Sequence, residues 1–270
     1  MRFEVDGRSV LAATGAVPID RPETAEAPLV ILIHGAGMDR TVWSQQTRWL
    51  AHHGTRAVAV DLPGHGGSDG PPLGSIFELA TWISKVADAL GGDINVVGHS
   101  MGAFIGLEAA AKFGDKISSL VVMGLGAAMP VHPDLQAAAD VDDPLAADLM
   151  AGWMHGPEQK FGTHPTPGMS MTGTSRAVIE TSPSGVLAGD LKLCAEYDGA
   201  VAAATTLTCP TTLVLGKLDR MTPRKSAQPL IRALGHANVI ELATSGHAPM
   251  MEEPEAVRTA LADHLFSPTG

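Results

Sequence analysis

The chain has 270 residues, 45% hydrophobic and 17% charged, with a formal net charge of −11 at pH 7. That is enough apolar material for one large core, and it suits a single domain carrying an insertion better than two independent domains. The acidic balance excludes nucleic acid and anionic membrane surfaces as expected partners, because both repel it.

Residues 1–6 alternate apolar and charged side chains and form a first strand rather than a signal peptide. No apolar stretch is long enough to span a bilayer. Short runs at 3–5 and 10–14 flank Asp6-Gly7-Arg8-Ser9 and predict a hairpin. Leu29-Val30-Ile31-Leu32-Ile33 is apolar on both faces, as a central parallel strand must be. A helix is expected over 41–52, a buried strand over 56–60, and a helix over 76–90 closed by Gly91-Gly92. A further strand, from Ile94, runs directly into Gly98-His99-Ser100-Met101-Gly102, then a helix to about residue 113 and a strand over 117–123.

After Gly124 the alternation stops. The stretch 126–204 is rich in Ala, Met, Pro and Gly, with helical pieces at 133–139 and 144–153 and loop composition at 163–173. Alternation resumes with a strand over 211–215, a helix over 223–234, a strand over 239–242 and a helix over 254–266. Strands alternating with helices imply an α/β fold, with a mostly parallel sheet covered on both faces. Residues 1–125 and 205–270 are the expected core. The expected lid, 126–204, lies over the carboxyl ends of the strands, where such sheets bind ligands. Cys194 and Cys209 lack metal-type spacing, which points to reduced thiols in a cytoplasmic protein, although a disulfide between them stays open.

The chemistry centres on Ser100. A strand, a forced turn and a helix put its hydroxyl at an apex, with glycines two residues to either side removing Cβ atoms that would clash there. The helix that follows offers free N–H groups and a positive dipole end to an oxyanion. Gly66-Gly67-Ser68-Asp69-Gly70 matches the same Gly-x-Ser-x-Gly pattern, but no apolar strand precedes it and Pro71-Pro72 follows, so Ser68 belongs to a surface loop.

A serine nucleophile needs a base, and the base an orienting acid. His247 is the best placed of the eleven histidines, in a loop after Thr244-Ser245-Gly246 just past the last strand. His34, His65 and His99 occupy turns on the same face and suit structural roles. Asp219 follows the 211–215 strand through Gly216-Lys217-Leu218, whereas the end of the preceding strand, Met123-Gly124-Leu125, offers no acid. The bland alternative for Asp219 is a solvated loop aspartate.

The order Ser100, Asp219, His247, together with His34-Gly35-Ala36-Gly37 and Asp61-Leu62-Pro63-Gly64-His65-Gly66-Gly67-Ser68, resembles the α/β-hydrolase family. The similarity is to its small, lidded serine hydrolases: esterases, lactonases, meta-cleavage-product hydrolases and cofactor-free haloperoxidases. The resemblance implies an oxyanion hole made by the backbone N–H groups of Ala36 and Met101. It also implies two-step acyl transfer through an acyl-enzyme on Ser100, with no metal or organic cofactor. Aspartate-nucleophile dehalogenases and epoxide hydrolases of this fold are disfavoured, since the elbow carries serine and Tyr197 is the only tyrosine.

The methionines of the insertion (Met129, Met150, Met154, Met169 and Met171), with Trp153 and the pair Met250 and Met251 after His247, serve either as core filler or as an adaptable apolar pocket. The pocket version, centred on Met129, Trp153, Met154 and Met250, predicts a small-to-medium apolar ester. Arg176 and Lys192 are the charged candidates for a substrate carboxylate, without a motif around either. The sequence therefore predicts a carboxylic-ester hydrolase acting on a small-molecule ester. Lactone or C–C cleavage with the same triad, cyanohydrin lysis and a ligand-sensing receptor are the alternatives. Monomer and homodimer are equally compatible with the sequence.

Overall fold

The computed structural model describes residues 1–20, 26–157, 159, 168 and 170–266. Its centre is an eight-stranded sheet built from β1 (Arg2–Val5), β2 (Arg8–Ala13), β3 (Leu29–Ile33), β4 (Arg56–Val60), β5 (Ile94–His99), β6 (Ile117–Met123), β7 (Thr211–Gly216) and β8 (Asn238–Leu242). The strand order is β1-β2-β4-β3-β5-β6-β7-β8. The first two pairings are antiparallel, β1 with β2 and β2 with β4. Every later pairing is parallel. All five residues of β3 are buried, which explains its unbroken aliphatic run.

Helices α1 (Ser44–His52), α2 (Ile76–Leu90), α3 (Met101–Lys112), α9 (Arg224–Ala233) and α11 (Pro254–Phe266) accompany the strands. Helix α2 shows why local chemistry sets such boundaries. Ser75 accepts the Glu78 N–H at 3.1 Å to cap its start, and Gly91 at φ +75° stops it in the left-handed region. The helix expected over 41–52 is split: a 3-10 turn at Arg40–Trp43, capped by Asp39, precedes α1.

Between β6 and β7 lie α4 (Pro133–Ala139), α5 (Leu145–Met154), α6 (Met171–Glu180), α7 (Val186–Glu196) and α8 (Ala200–Thr206). The loop expected over 163–173 is shorter at its end, because Ser170 accepts the Gly173 N–H and starts α6 at Met171. Residues 163–167 and Met169 lie outside the described residues. The boundary drawn at 204 falls inside α8, which packs on α3 and α9. A four-residue helix, α10 (Pro249–Glu252), follows the His247 loop. Cys194 and Cys209 are both free thiols, so the disulfide left open by the sequence does not form. Among the described residues no helix is long and apolar enough to cross a membrane.

Topology places the site. From β3 the chain moves outward to β4 on one side, then returns to lay β5 on the other side of β3. The carboxyl ends of β3 and β5 therefore flank the point where the winding reverses, and a crevice opens there.

Candidate active site

Ser100 joins β5 to α3 at φ 53°, ψ −117°, a strained conformation for a residue with a Cβ. The flanking glycines make the turn possible. A Cβ on Gly98 would drive into the Gly102 carbonyl, and one on Gly102 into the backbone of Ile33 and His34. The Ser100 N–H donates to the Met123 carbonyl at 2.9 Å, which anchors the turn to β6.

Ser100 Oγ lies 3.0 Å from His247 Nε2, and His247 Nδ1 lies 2.9 Å from Asp219 Oδ2. Because a carboxylate only accepts, Nδ1 carries the proton and Nε2 is left to take the Ser100 O–H. Three further donors hold Asp219: the N–H groups of Met221 and Thr222, each 2.8 Å from Oδ1, and the Thr222 hydroxyl, 2.6 Å from Oδ2. Burial by itself would raise the Asp219 carboxyl, but His247 and the Thr222 bonds outweigh it and hold it at about 2.

The His247 loop is tethered on several sides. Its N–H donates to the Met154 carbonyl at 2.6 Å, and its carbonyl accepts His99 Nε2–H at 2.9 Å. Glu252, with no exposed side-chain surface, accepts the N–H groups of Gly246 (2.8 Å), Ala248 (3.0 Å) and Gly156 (2.9 Å). Buried His155 sits 3.4 Å from the same carboxylate. Burial opposes the Glu252 charge, yet His155 and these amides keep its carboxyl below the ordinary glutamate value.

The other histidines take structural places. His34 Nδ1–H donates to the Gly35 carbonyl (2.9 Å) while Nε2 accepts the Leu62 N–H (3.1 Å), and burial followed by nearby His65 lowers its pKa to about 3. His99 is lowered to about 3 by burial and then by His247. Ser68, the second pattern match, donates to the Asp61 carbonyl (2.8 Å) and accepts the Leu11 N–H (2.9 Å), so it ties a turn to β2.

A cavity of about 540 Å³ opens over Ser100 and His247. Ala36 lies in its wall, in the loop that follows β3, and Met101 is the first residue of α3. Among the described residues neither Ala36 nor Met101 donates its N–H to another group. A Cβ on Gly35 would sit 3.2 Å from the Ser100 Cβ, so this loop runs directly beside the serine.

Met129 and Trp153 line the cavity, joined by Met150. Met154 and Met250 do not. Met154 is 1% exposed and packed in the core, where its carbonyl serves His247; Met250 is fully buried, with its carbonyl accepting Gln46 Nε2 at 2.8 Å. Sequence periodicity could not separate them, because both faces of these segments are apolar. Arg176 pairs with Asp148 and Glu180, and Lys192 with Glu196, on the surface. Arg220, beside Asp219, is the cation that reaches the cavity. It was missed for want of any motif, as were Asp190 and Glu252; Thr222 alone left a trace, three residues beyond an aspartate in a turn. Among the described residues no group of three or more His, Cys, Asp or Glu is placed to hold a metal ion.

Known proteins resemble this chain along most of its length. A profile described as Alpha/beta hydrolase family matches residues 30–260. A pimeloyl-[acyl-carrier protein] methyl ester esterase of Chromobacterium violaceum is 30% identical over 250 residues, covering 89% of this chain and 95% of the relative. The protein of the same name from Aromatoleum aromaticum is 29% identical, covering 87% and 97%. Among solved structures, the enol-lactonase from Burkholderia xenovorans superposes with a TM-score of 0.84 at 20% identity, covering 99% of this chain and 100% of that one. An esterase from Exiguobacterium antarcticum gives 0.84 at 19% identity, covering 99% of each. At such identities the superpositions speak for the fold alone.

Proposed function

The chain belongs to the alpha/beta hydrolase family, and from that premise we propose that Ser100, His247 and Asp219 hydrolyse a carboxylic ester through an acyl-enzyme. The observation that carries this is the unbroken hydrogen-bonded chain from Ser100 Oγ through His247 to Asp219 at the wall of an apolar cavity. His247 Nε2 takes the hydroxyl proton as Ser100 Oγ attacks the ester carbonyl. Negative charge collects on the former carbonyl oxygen, between the N–H groups of Ala36 and Met101, where an aligned donor contributes about 3 kcal/mol. Protonated His247 hands its proton to the departing alcohol. Water then attacks the acyl-enzyme by the same route, and Asp219 stabilises the imidazolium in both halves.

The segment 126–204 acts as the cap, with Met129, Met150 and Trp153 meeting the acyl chain. A methyl ester on a carrier-borne acyl chain is the favoured substrate class, in keeping with the relatives' names. Met129 and Trp153 suit the chain, and exposed Arg220 suits a negative group beyond it.

Purified protein assayed with short p-nitrophenyl esters and with methyl esters of medium-chain acyl thioesters tests both levels. Turnover by the wild type and a fall of about 10³-fold or more in Ser100→Ala is the expected result. Equal rates in the two proteins would remove Ser100 as nucleophile.

A further inference from the structure

Helix α7 does more than roof the cavity. Leu191 and Cys194 face it, but Asp190, on the same helix, is 2% exposed and turned toward the core. One oxygen of its carboxylate, Oδ2, accepts the Gly37 N–H at 2.8 Å and His65 Nε2–H at 2.8 Å. Gly37 is the residue immediately after Ala36, at φ +64°. A Cβ there would stand 2.6 Å from Leu187 Cδ1, so α7 is seated against this loop as well as bonded to it.

An amide donor counts in catalysis only if its direction is set before charge develops. The loop 34–37 carries two neighbours that set it. His34 bonds back to Gly35 on one side, and Asp190 holds the Gly37 amide on the other. Nothing in the chemistry of Ser100, His247 or Asp219 requires a carboxylate at position 190. Burying one is costly unless it is paired and bonded, and here it is both.

We propose that Asp190 is a positioning residue: from the cap helix it orients the Ala36–Gly37 backbone for the oxyanion, with His65 as its buried counter-ion. This rests on the ester-hydrolase reading above. Burial disfavours charge on His65, but the bond and proximity to Asp190, helped by the Pro63 carbonyl and Asp61, raise its pKa above the ordinary value. Cap and oxyanion loop thus form one unit, and a substrate enters past a roof whose α7 portion stays in place.

The test compares Asp190→Leu, which keeps the size but loses the acceptor, with Asp190→Asn, which keeps an acceptor oxygen. With a p-nitrophenyl ester that the wild type cleaves, Asp190→Leu should lower kcat by about tenfold or more, with KM changed less than about threefold. Binding of a trifluoromethyl ketone, which forms a tetrahedral oxyanion on the serine, should weaken by the same factor as kcat/KM. Asp190→Asn should recover most of both losses. If kcat stays near wild type in Asp190→Leu, or only KM moves, or ketone binding is unaffected, Asp190 is structural. Should Asp190→Leu not fold, the Gly37 amide of the wild type decides by NMR. Exchange protection and a downfield proton that moves in Asp190→Asn support the assignment, and an unprotected amide overturns it. A wild type that cleaves no ester defeats the ester-hydrolase reading instead, whatever the Gly37 amide shows.

Discussion

At Ser100 a side chain is held in a backbone region that most residues avoid, and the surrounding atoms carry that strain. Its two glycine neighbours matter for space rather than flexibility, because backbone oxygens from α3 and β3 occupy the positions their Cβ atoms would take. Gly102→Ala must therefore push α3 away from β3. The expected result is a loss of about 1–3 kcal/mol in urea denaturation, together with a clear fall in kcat as the Ser100–His247 distance grows. A variant as stable and active as the wild type would show that the elbow tolerates more movement than this packing allows.

Among elements, the smallest has a large task. Helix α10 spans four residues, yet its Glu252 bonds amides on both sides of His247 and one from the chain leaving α5. Glu252→Gln keeps the shape while removing the charge that faces buried His155. An amide there cannot accept from all three buried N–H groups as well as the carboxylate does, which costs about 1–3 kcal/mol, and kcat should drop with KM nearly unchanged because the His247 loop, not the cavity wall, is loosened. Denaturant titration and steady-state kinetics on the one variant check both halves; unchanged stability would mean that the amide bonds alone hold the loop. Several elements were legible beforehand. Strands β3, β4 and β6 and helix α2 begin and end where apolar runs, caps and glycines say they should. Helices α6, α7 and α8 were not singled out, because α6 packs on α5, α7 on α4 and α8 on α3 and α9, with no strand alternating beside them to mark their period.

For the molecule as a whole, the buried histidines tie stability to pH. His34 and His99 are held neutral, at about 3, while the unfolded chain binds protons near 6.5. Their contribution is complete above pH 6.5 and is lost as pH falls from there toward 3, at about 1.4 kcal/mol per histidine per pH unit. His65 works in the opposite sense: its raised value gives stability below pH 6.5 that is lost as pH rises through its folded value. Asp219, depressed to about 2, matters only below about pH 4. Burial lowers half-buried His264 as well, so among the described residues three lowered histidines stand against one raised, and the urea midpoint should fall between pH 7 and pH 5, by an amount equivalent to roughly 2–4 kcal/mol. That is a sizeable share of the marginal stability of a folded domain. A midpoint that holds steady over this range would show that His34 and His99 exchange protons freely while folded.

The sequence by itself determined the alternation of strands and helices, the nucleophile turn, and the order in which Ser100, Asp219 and His247 occur. These are local matters: side-chain period, turn chemistry and missing Cβ atoms act over a few residues. Only the tertiary structure decided which methionines face the cavity, that Arg220 reaches it, and that Glu252 and Asp190 brace the two loops beside Ser100. Those side chains work through partners up to 153 positions away, as from Asp190 to Gly37. Such contacts exist only once the sheet has brought distant segments together, and no short-range pattern encodes them.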